Sequence, residues 1–175
     1  MSLKELLECE IIERVSRFTI LVKIRGEKTL VYTNNTVRLL QFLLPGKTCY
    51  AVKSSSVTSK LDYRLIGVED HGLAALVDTK LQEKVFEELV KKRSLPWLRD
   101  HVIAERYPRV QGKVFDFLLE SSEGYFLVEL KSALLRLNTH IAGYPDAPTR
   151  RGRDQLYLLG DLVSSSLYKG LVVFI

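Results

Sequence analysis

Two short apolar runs, residues 115–119 and 125–130, flank the turn-forming stretch Ser121-Ser122-Glu123-Gly124 and constrain this chain more than any other feature. Aromatic and aliphatic runs separated by such residues read as the two strands of a hairpin. Centred between Ser122 and Glu123, the hairpin sets Asp116 directly across from Glu129. Neighbours of that kind have β-carbons roughly 4.5–5.5 Å apart, and two like charges there destabilise the sheet. Lys131, two residues beyond Glu129, shares its face because strand side chains alternate. Two facing carboxylates beside a lysine serve stability poorly and suit a divalent metal. The plain alternative is a solvated hairpin face carrying an exposed ion pair. A three-residue loop with Gly124 in a left-handed bulge would slip the pairing by one.

The chain around this hairpin changes grammar near Gly72. Before it, strands are predicted over 18–24, 28–33, 48–52 and 63–68, with tight turns at Arg25-Gly26-Glu27 and Pro45-Gly46. Short strands with turn signals between them suggest a small barrel, or a β-meander packed on the second half. Residues 34–44 are long enough for a short helix. After it, Leu81, Val85, Phe86, Leu89 and Val90 follow helical spacing, with Asp78 or Thr79 as N-cap and Lys91, Lys92 and Arg93 at the end that suits cations. A linker with Pro96 and Trp97, a strand over 101–105, the hairpin, a loop with Gly143, Pro145 and Pro148, a helix over 150–164 and a strand over 170–175 complete the order. That order predicts an α/β second half, with part of its sheet antiparallel. The expected division is 1–71 and 72–175.

Phosphodiester hydrolysis needs a divalent ion that neutralises phosphate charge and activates water. Magnesium takes oxygen ligands and keeps several waters, so one or two carboxylates hold it. Asp116 and Glu129 supply them, and the carbonyl of Leu130 lies at the same edge. Lys131 would orient water or stabilise the pentacovalent phosphate. Arg150, Arg151 and Arg153 crowd the first turn of the last helix, where positive charge opposes the helix dipole but a bound phosphate reverses the argument. The competing reading is a solvated basic loop partnered by Asp146 and Asp154. The basic stretch from Lys53 to Lys60 is a loop that could track a nucleic-acid backbone. His71, His101 and His140 have no ligand spacing, and no phosphate-binding glycine loop or serine-nucleophile elbow occurs.

A net charge of +5 favours an anionic partner. Two cysteines, Cys9 and Cys49, argue against a disulfide framework or a thiolate-bound zinc and fit a reducing cytoplasm. No run approaches the ~20 apolar residues of a membrane helix, and Lys4, Glu5, Glu8 and Glu10 do not suit a signal peptide. A soluble cytoplasmic protein is expected.

The stretch Tyr144-Pro145-Asp146-Ala147-Pro148-Thr149-Arg150-Arg151-Gly152 resembles the F-P-D-A-x-T-x-R-G signature of the sugar fermentation stimulation protein A (SfsA) family. Phe115-Asp116-Phe117-Leu118-Leu119 and Val128-Glu129-Leu130-Lys131-Ser132 resemble its D-F-L-L and V-E-V-K-S elements. Asp78-Thr79, Glu87-Glu88, Asn35-Thr36, Arg38, Leu43-Leu44 and Pro45-Gly46 extend the likeness over nearly the whole chain, in order. The resemblance implies an N-terminal OB-like, DNA-binding β-barrel followed by a restriction-endonuclease-like mixed sheet flanked by helices, of the PD-(D/E)xK type. It makes Asp116, Glu129 and Lys131 a nuclease-like triad with Mg²⁺ or Mn²⁺ held at Asp116, Glu129 and the Leu130 carbonyl. Glu87 or Glu88 would supply a further helix acid. Arg38, Lys53, Lys60, Arg150, Arg151 and Arg153 are the candidate contacts to DNA, with RNA also open. The chain departs from the family at Val37, usually Gly, and at Asp154-Gln155, usually Lys-His. Relatives usually continue past the last strand, so a further C-terminal element is expected. The family label concerns DNA binding and regulation of sugar-utilisation genes. Two functions therefore compete: a metal-dependent DNA endonuclease, and a non-catalytic DNA-binding regulator with a nuclease-like fold.

Overall fold

The computed structural model describes residues 5–54, 61–146 and 149–175. Its first compact unit comprises the chain as far as Leu81 together with Leu134–Asp146. Six strands form its main sheet: β1 (Leu6–Arg14), β2 (Thr19–Ile24), β3 (Glu27–Tyr32), β4 (Thr48–Lys53), β5 (Tyr63–Asp70) and β6 (Leu73–Leu76). They run in the order β3-β2-β1-β4-β5-β6, and a parallel pairing of β3 with β5 through Val31–Tyr63 and Tyr32–Arg64 closes the sheet on itself. Ile11, Ile20, Val22, Val31, Leu65 and Val68 are fully buried inside, as strand alternation dictates.

β1 escapes the sequence reading, although Leu7, Cys9 and Ile11 alternate with Glu8 and Glu10. Its pairing with β4 sets Cys9 opposite Cys49, and the two form a disulfide. The two cysteines, which argued against a disulfide framework in the sequence, are joined by this strand: without it nothing in the spacing brings the thiols together.

The short helix expected over 34–44 is absent; the segment is turn and coil. The Arg14 guanidinium takes its carbonyls instead, donating to Val37 O (2.6 Å), Arg38 O (2.9 Å) and Asn35 O (3.2 Å). Leu39, buried with φ +52°, breaks any right-handed helix there, and its N–H donates to Asp146 Oδ2 at 2.9 Å. The hairpin of β12 (Leu135–Arg136) and β13 (Ala142–Gly143) belongs to this unit too, with the Arg136 guanidinium paired to Asp70.

The second unit comprises Gln82–Ala133 and the chain from 147 onward. Its sheet has the order β14-β11-β10-β7, from β7 (Val102–Arg106), β10 (Phe117–Ser121), β11 (Gly124–Lys131) and β14 (Lys169–Phe174). β11 pairs antiparallel with β10 and parallel with β14, so the sheet is mixed. A two-stranded turn of β8 (Arg109–Val110) and β9 (Lys113–Val114) precedes β10.

Helix α1 (Thr79–Lys91) starts at the Asp78 cap, whose Oδ1 accepts from Leu81 N–H at 3.0 Å. Its Phe86 and Val90 pack with Phe117, Leu119 and Val128 on one sheet face. Helix α2 (Arg150–Ser164) packs Leu159 and Leu162 with Leu127 and Phe115 on the other. Among the described residues, no helix is long and apolar enough to cross a membrane.

Candidate metal centre

The hairpin forms with a two-residue turn: Ser121 pairs with Gly124 and Phe117 with Val128. The paired ladder ends there, one residue short of Asp116, and no bulge at Gly124 shifts it. Beyond the ladder, Asp116 N–H donates to Val128 O at 3.1 Å, one residue off the register that would set it squarely opposite Glu129, and Leu130 N–H donates to Asp116 Oδ2 at 2.6 Å. Alternation places Glu129 and Lys131 with Leu127, on the side covered by α2. The solvated-hairpin alternative does not describe this face. Glu129 is 4 % exposed and Lys131 8 %, and the Lys131 ammonium donates to Glu129 Oε1.

Helix α2 contributes from above. Thr149 caps it by accepting from Gly152 N–H at 3.0 Å, which fixes where the first turn begins. Gln155, buried one turn later, donates to Val114 O at 2.9 Å and reaches Glu129 Oε2 at 3.5 Å. Of the three arginines in this turn, Arg151 is the one whose charge acts on both Asp116 and Glu129, although its side chain is exposed. The acids proposed to partner them are committed elsewhere: Asp154 pairs with Lys113 at 3.4 Å, and Asp146 with the Leu39 amide.

The electrostatics are those of a charge pair short of compensation. Burial, followed by the Asp116 charge, pushes the Glu129 carboxyl up to about 7, against the pull of Lys131 and Arg151. Burial also raises Asp116, opposed first by the Leu130 N–H bond; the Glu83 charge adds to the rise. Of the acids on α1, Glu83 is thus the one that acts on Asp116. Its Oε2 accepts from the Tyr107 hydroxyl at 2.6 Å, and Tyr107 holds φ +57°, uncommon for a bulky residue. Glu87 points its charge at cations, pairing with Lys91 at 2.7 Å and Arg106 at 3.1 Å, and its carboxyl is held below the usual range by them.

Glu83 and Gln155 went unselected by the sequence reading. Glu83 is one turn before Glu87 on the same helix face, the only signal available for it. Gln155 needed the α2 packing to acquire a meaning. Among the described residues no group of three or more His, Cys, Asp or Glu side chains gathers around one point. The acids near one another here are Asp116 and Glu129, whose carboxylate oxygens are hard donors of the kind that suit magnesium, manganese or calcium. Arg38 and Lys53 are exposed on the first unit, and Lys60 lies outside the described residues.

Comparison with known proteins places this geometry in a family. The profile of the sugar fermentation stimulation protein RE domain matches residues 80–175, and that of the SfsA N-terminal OB domain matches residues 12–77. A sugar fermentation stimulation protein homolog of Pyrococcus furiosus is 39% identical over 175 residues, covering 100% of this chain and 74% of the relative. One from Archaeoglobus fulgidus is 39% identical over 168 residues, 96% of this chain and 71% of the relative. The solved structure of Pyrococcus furiosus SfsA in complex with Ca²⁺ superposes with a TM-score of 0.92 at 38% identity, covering 99% of this chain and 74% of that one. With an OB barrel, an RE-type mixed sheet and relatives matched along its whole length, the chain belongs to the sugar fermentation stimulation protein A family.

Proposed function

We propose that the protein binds DNA and carries a metal-dependent, nuclease-type centre that cleaves phosphodiester bonds. The observation that carries this reading is the close pair of a half-buried Asp116 and a buried Glu129 beside Lys131. Folding gains nothing from bringing two carboxylates together at low exposure, and a divalent cation is the partner that relieves both. That the related Pyrococcus furiosus protein is described in complex with Ca²⁺ supports a divalent-metal site of this kind. Asp116, Glu129 and the Leu130 carbonyl would hold Mg²⁺ or Mn²⁺, which when bound neutralises phosphate charge and lowers the pKa of water.

The chain's own groups have separate tasks. The Leu130 N–H fixes the rotamer of Asp116, and Gln155 fixes Glu129 against α2. Lys131 sits within hydrogen-bonding reach of Glu129 and presents a compact cation to a phosphate oxygen or to the attacking water. Arg151 lends positive potential where the phosphate would enter.

A second reading, in which the centre binds without cutting, is favoured by one observation: Lys131 and Gln155 engage both oxygens of Glu129. Incubation with single-stranded, duplex and RNA substrates plus Mg²⁺ or Mn²⁺ separates the two. Cleavage that disappears in Asp116→Ala and Glu129→Ala, with DNA binding intact, is the expected outcome. No cleavage with any metal, and tighter DNA binding by the variants, would replace the enzyme with a binder.

A further inference from the structure

Tyr107 stands where β7 ends, and its backbone is not the one its place in the chain calls for. It is bulky and precedes Pro108, which favours extended backbone. Strand alternation would also turn it away from the face that Arg106 occupies. It holds φ +57° instead. The neighbouring strand fixes this conformation: Tyr107 N–H donates to Asp116 O at 3.0 Å, and Phe115 N–H donates to Pro108 O at 3.0 Å. Tyr107 is thus pinned by its backbone to Asp116 while its side chain reaches helix α1. A bulky left-handed residue persists only where its surroundings over-determine it, and such residues cluster at functional sites.

The hydroxyl has a defined direction. The Arg106 guanidinium lies 3.4 Å from it and can only donate, so the phenol accepts there and gives its own proton to Glu83 Oε2 at 2.6 Å. The ring is braced too, with the Arg106 guanidinium 5.3 Å from its centre and 5.8 Å from that of Phe117. Tyr107 is 49% exposed, so filling a core does not account for it.

The two acids of α1 are consequently held in different ways. Glu87 pairs with Lys91 and Arg106, two cations that balance its charge. Glu83 is oriented by a phenol, a neutral donor that fixes a carboxylate without cancelling its charge. That charge acts on Asp116. Among the described residues Glu83 is not gathered with Asp116 and Glu129 around one point, so it acts through its field and not as a ligand.

We propose that Tyr107 is a positioning residue of the Asp116–Glu129 metal centre: tied to Asp116 by its amide, it keeps the Glu83 carboxylate charged and in one orientation, adding a third negative charge to the attraction for a divalent cation. Without the hydroxyl, Glu83 is free to swing into solvent, where screening removes its pull. This role presupposes the metal centre of the proposed function and adds to it the group that holds an outer charge in place.

The test is isothermal titration of the metal-free protein with Mn²⁺ at low salt, for wild type, Tyr107→Phe, Glu83→Gln and the double variant. Tyr107→Phe keeps the ring beside Arg106, and its urea midpoint should be little changed. It is expected to weaken Mn²⁺ binding about threefold to fivefold, and Glu83→Gln about tenfold. In the Glu83→Gln background Tyr107→Phe should cost nothing further, because the hydroxyl acts only through that carboxylate. Its loss should also shrink below about 1.5-fold at about 1 M salt, a dependence that a packing role would not have. Equal affinity in wild type and Tyr107→Phe, the same loss with or without Glu83, or a loss unchanged by salt would each overturn the assignment and leave the metal centre standing. Absence of Mn²⁺ binding by wild type would overturn both, so one set of titrations tells the two failures apart.

Discussion

Buried carboxylates occur in both units of this protein, and they are treated in opposite ways. In the first unit Asp78 accepts from Leu81 N–H and from Asn34, and its second oxygen pairs with Arg64 at 3.1 Å. Asp70 meets the Arg136 guanidinium through both oxygens. Each acid ties segments distant in sequence and is paired with a guanidinium. In the second unit Glu129 lies near Asp116, and burial together with the Asp116 charge drives Glu129 to about 7. One arrangement holds a fold; the other stores repulsion that a ligand can relieve.

Substitution should expose that contrast in order of size. Asp116→Ala and Glu129→Ala are expected to reduce metal-dependent cleavage by at least about 100-fold, read in a gel assay, while circular dichroism shows an unchanged fold. Asp78→Ala should do the reverse, losing about 3 kcal/mol of stability through a broken buried pair and a lost helix cap. Urea unfolding measures it, and a loss below about 1 kcal/mol would mean that Asp78 is not the tie described here.

The pH dependence sharpens the comparison. Glu129 is raised in the folded chain from 4.5 to about 7, so the folded state holds its proton more tightly than the unfolded one. The associated stability is complete below about pH 4.5 and is lost as pH rises through about 7. Glu129→Gln, which stays neutral, should therefore be about 1–3 kcal/mol more stable than wild type at pH 8 in EDTA and equal to it near pH 4. A variant that is destabilised at pH 8 would show that the ionised carboxylate is a structural asset.

The smallest expected effects distinguish the two acids of α1. Glu83→Gln should change metal affinity about tenfold, as a group acting through a neighbour of the ion does. Glu87→Gln should leave affinity unchanged and cost less than about 1 kcal/mol, the usual worth of part-exposed pairs such as those with Lys91 and Arg106. Reversed results would return the helix role to Glu87.

Local grammar made much of this legible. Turn residues at 121–124 fix the hairpin register, and the apolar spacing of α1 and the boundaries of α2 follow from periodicity and caps. Two features resisted. β1 hides its alternation among glutamates, and with it the Cys9–Cys49 disulfide stayed out of view. Leu134–Asp146 belongs to the first unit although its sequence neighbours belong to the second, which no periodicity signals. At the site, the proposed triad is readable because its members lie in and beside one hairpin. Glu83 and Gln155 arrive from two helices, and only packing brings their charge and amide to the carboxylates.

Isothermal titration of the metal-free protein with Mn²⁺, at pH 6.5 and at pH 8.5 in buffers of different ionisation enthalpy, tests the centre most directly. One ion should bind per chain, with proton release at the lower pH from the Glu129 carboxyl and little at the higher, and binding should vanish in the Asp116→Asn/Glu129→Gln variant. Undiminished binding by that variant, or none by wild type, would contradict a metal centre between these two carboxylates.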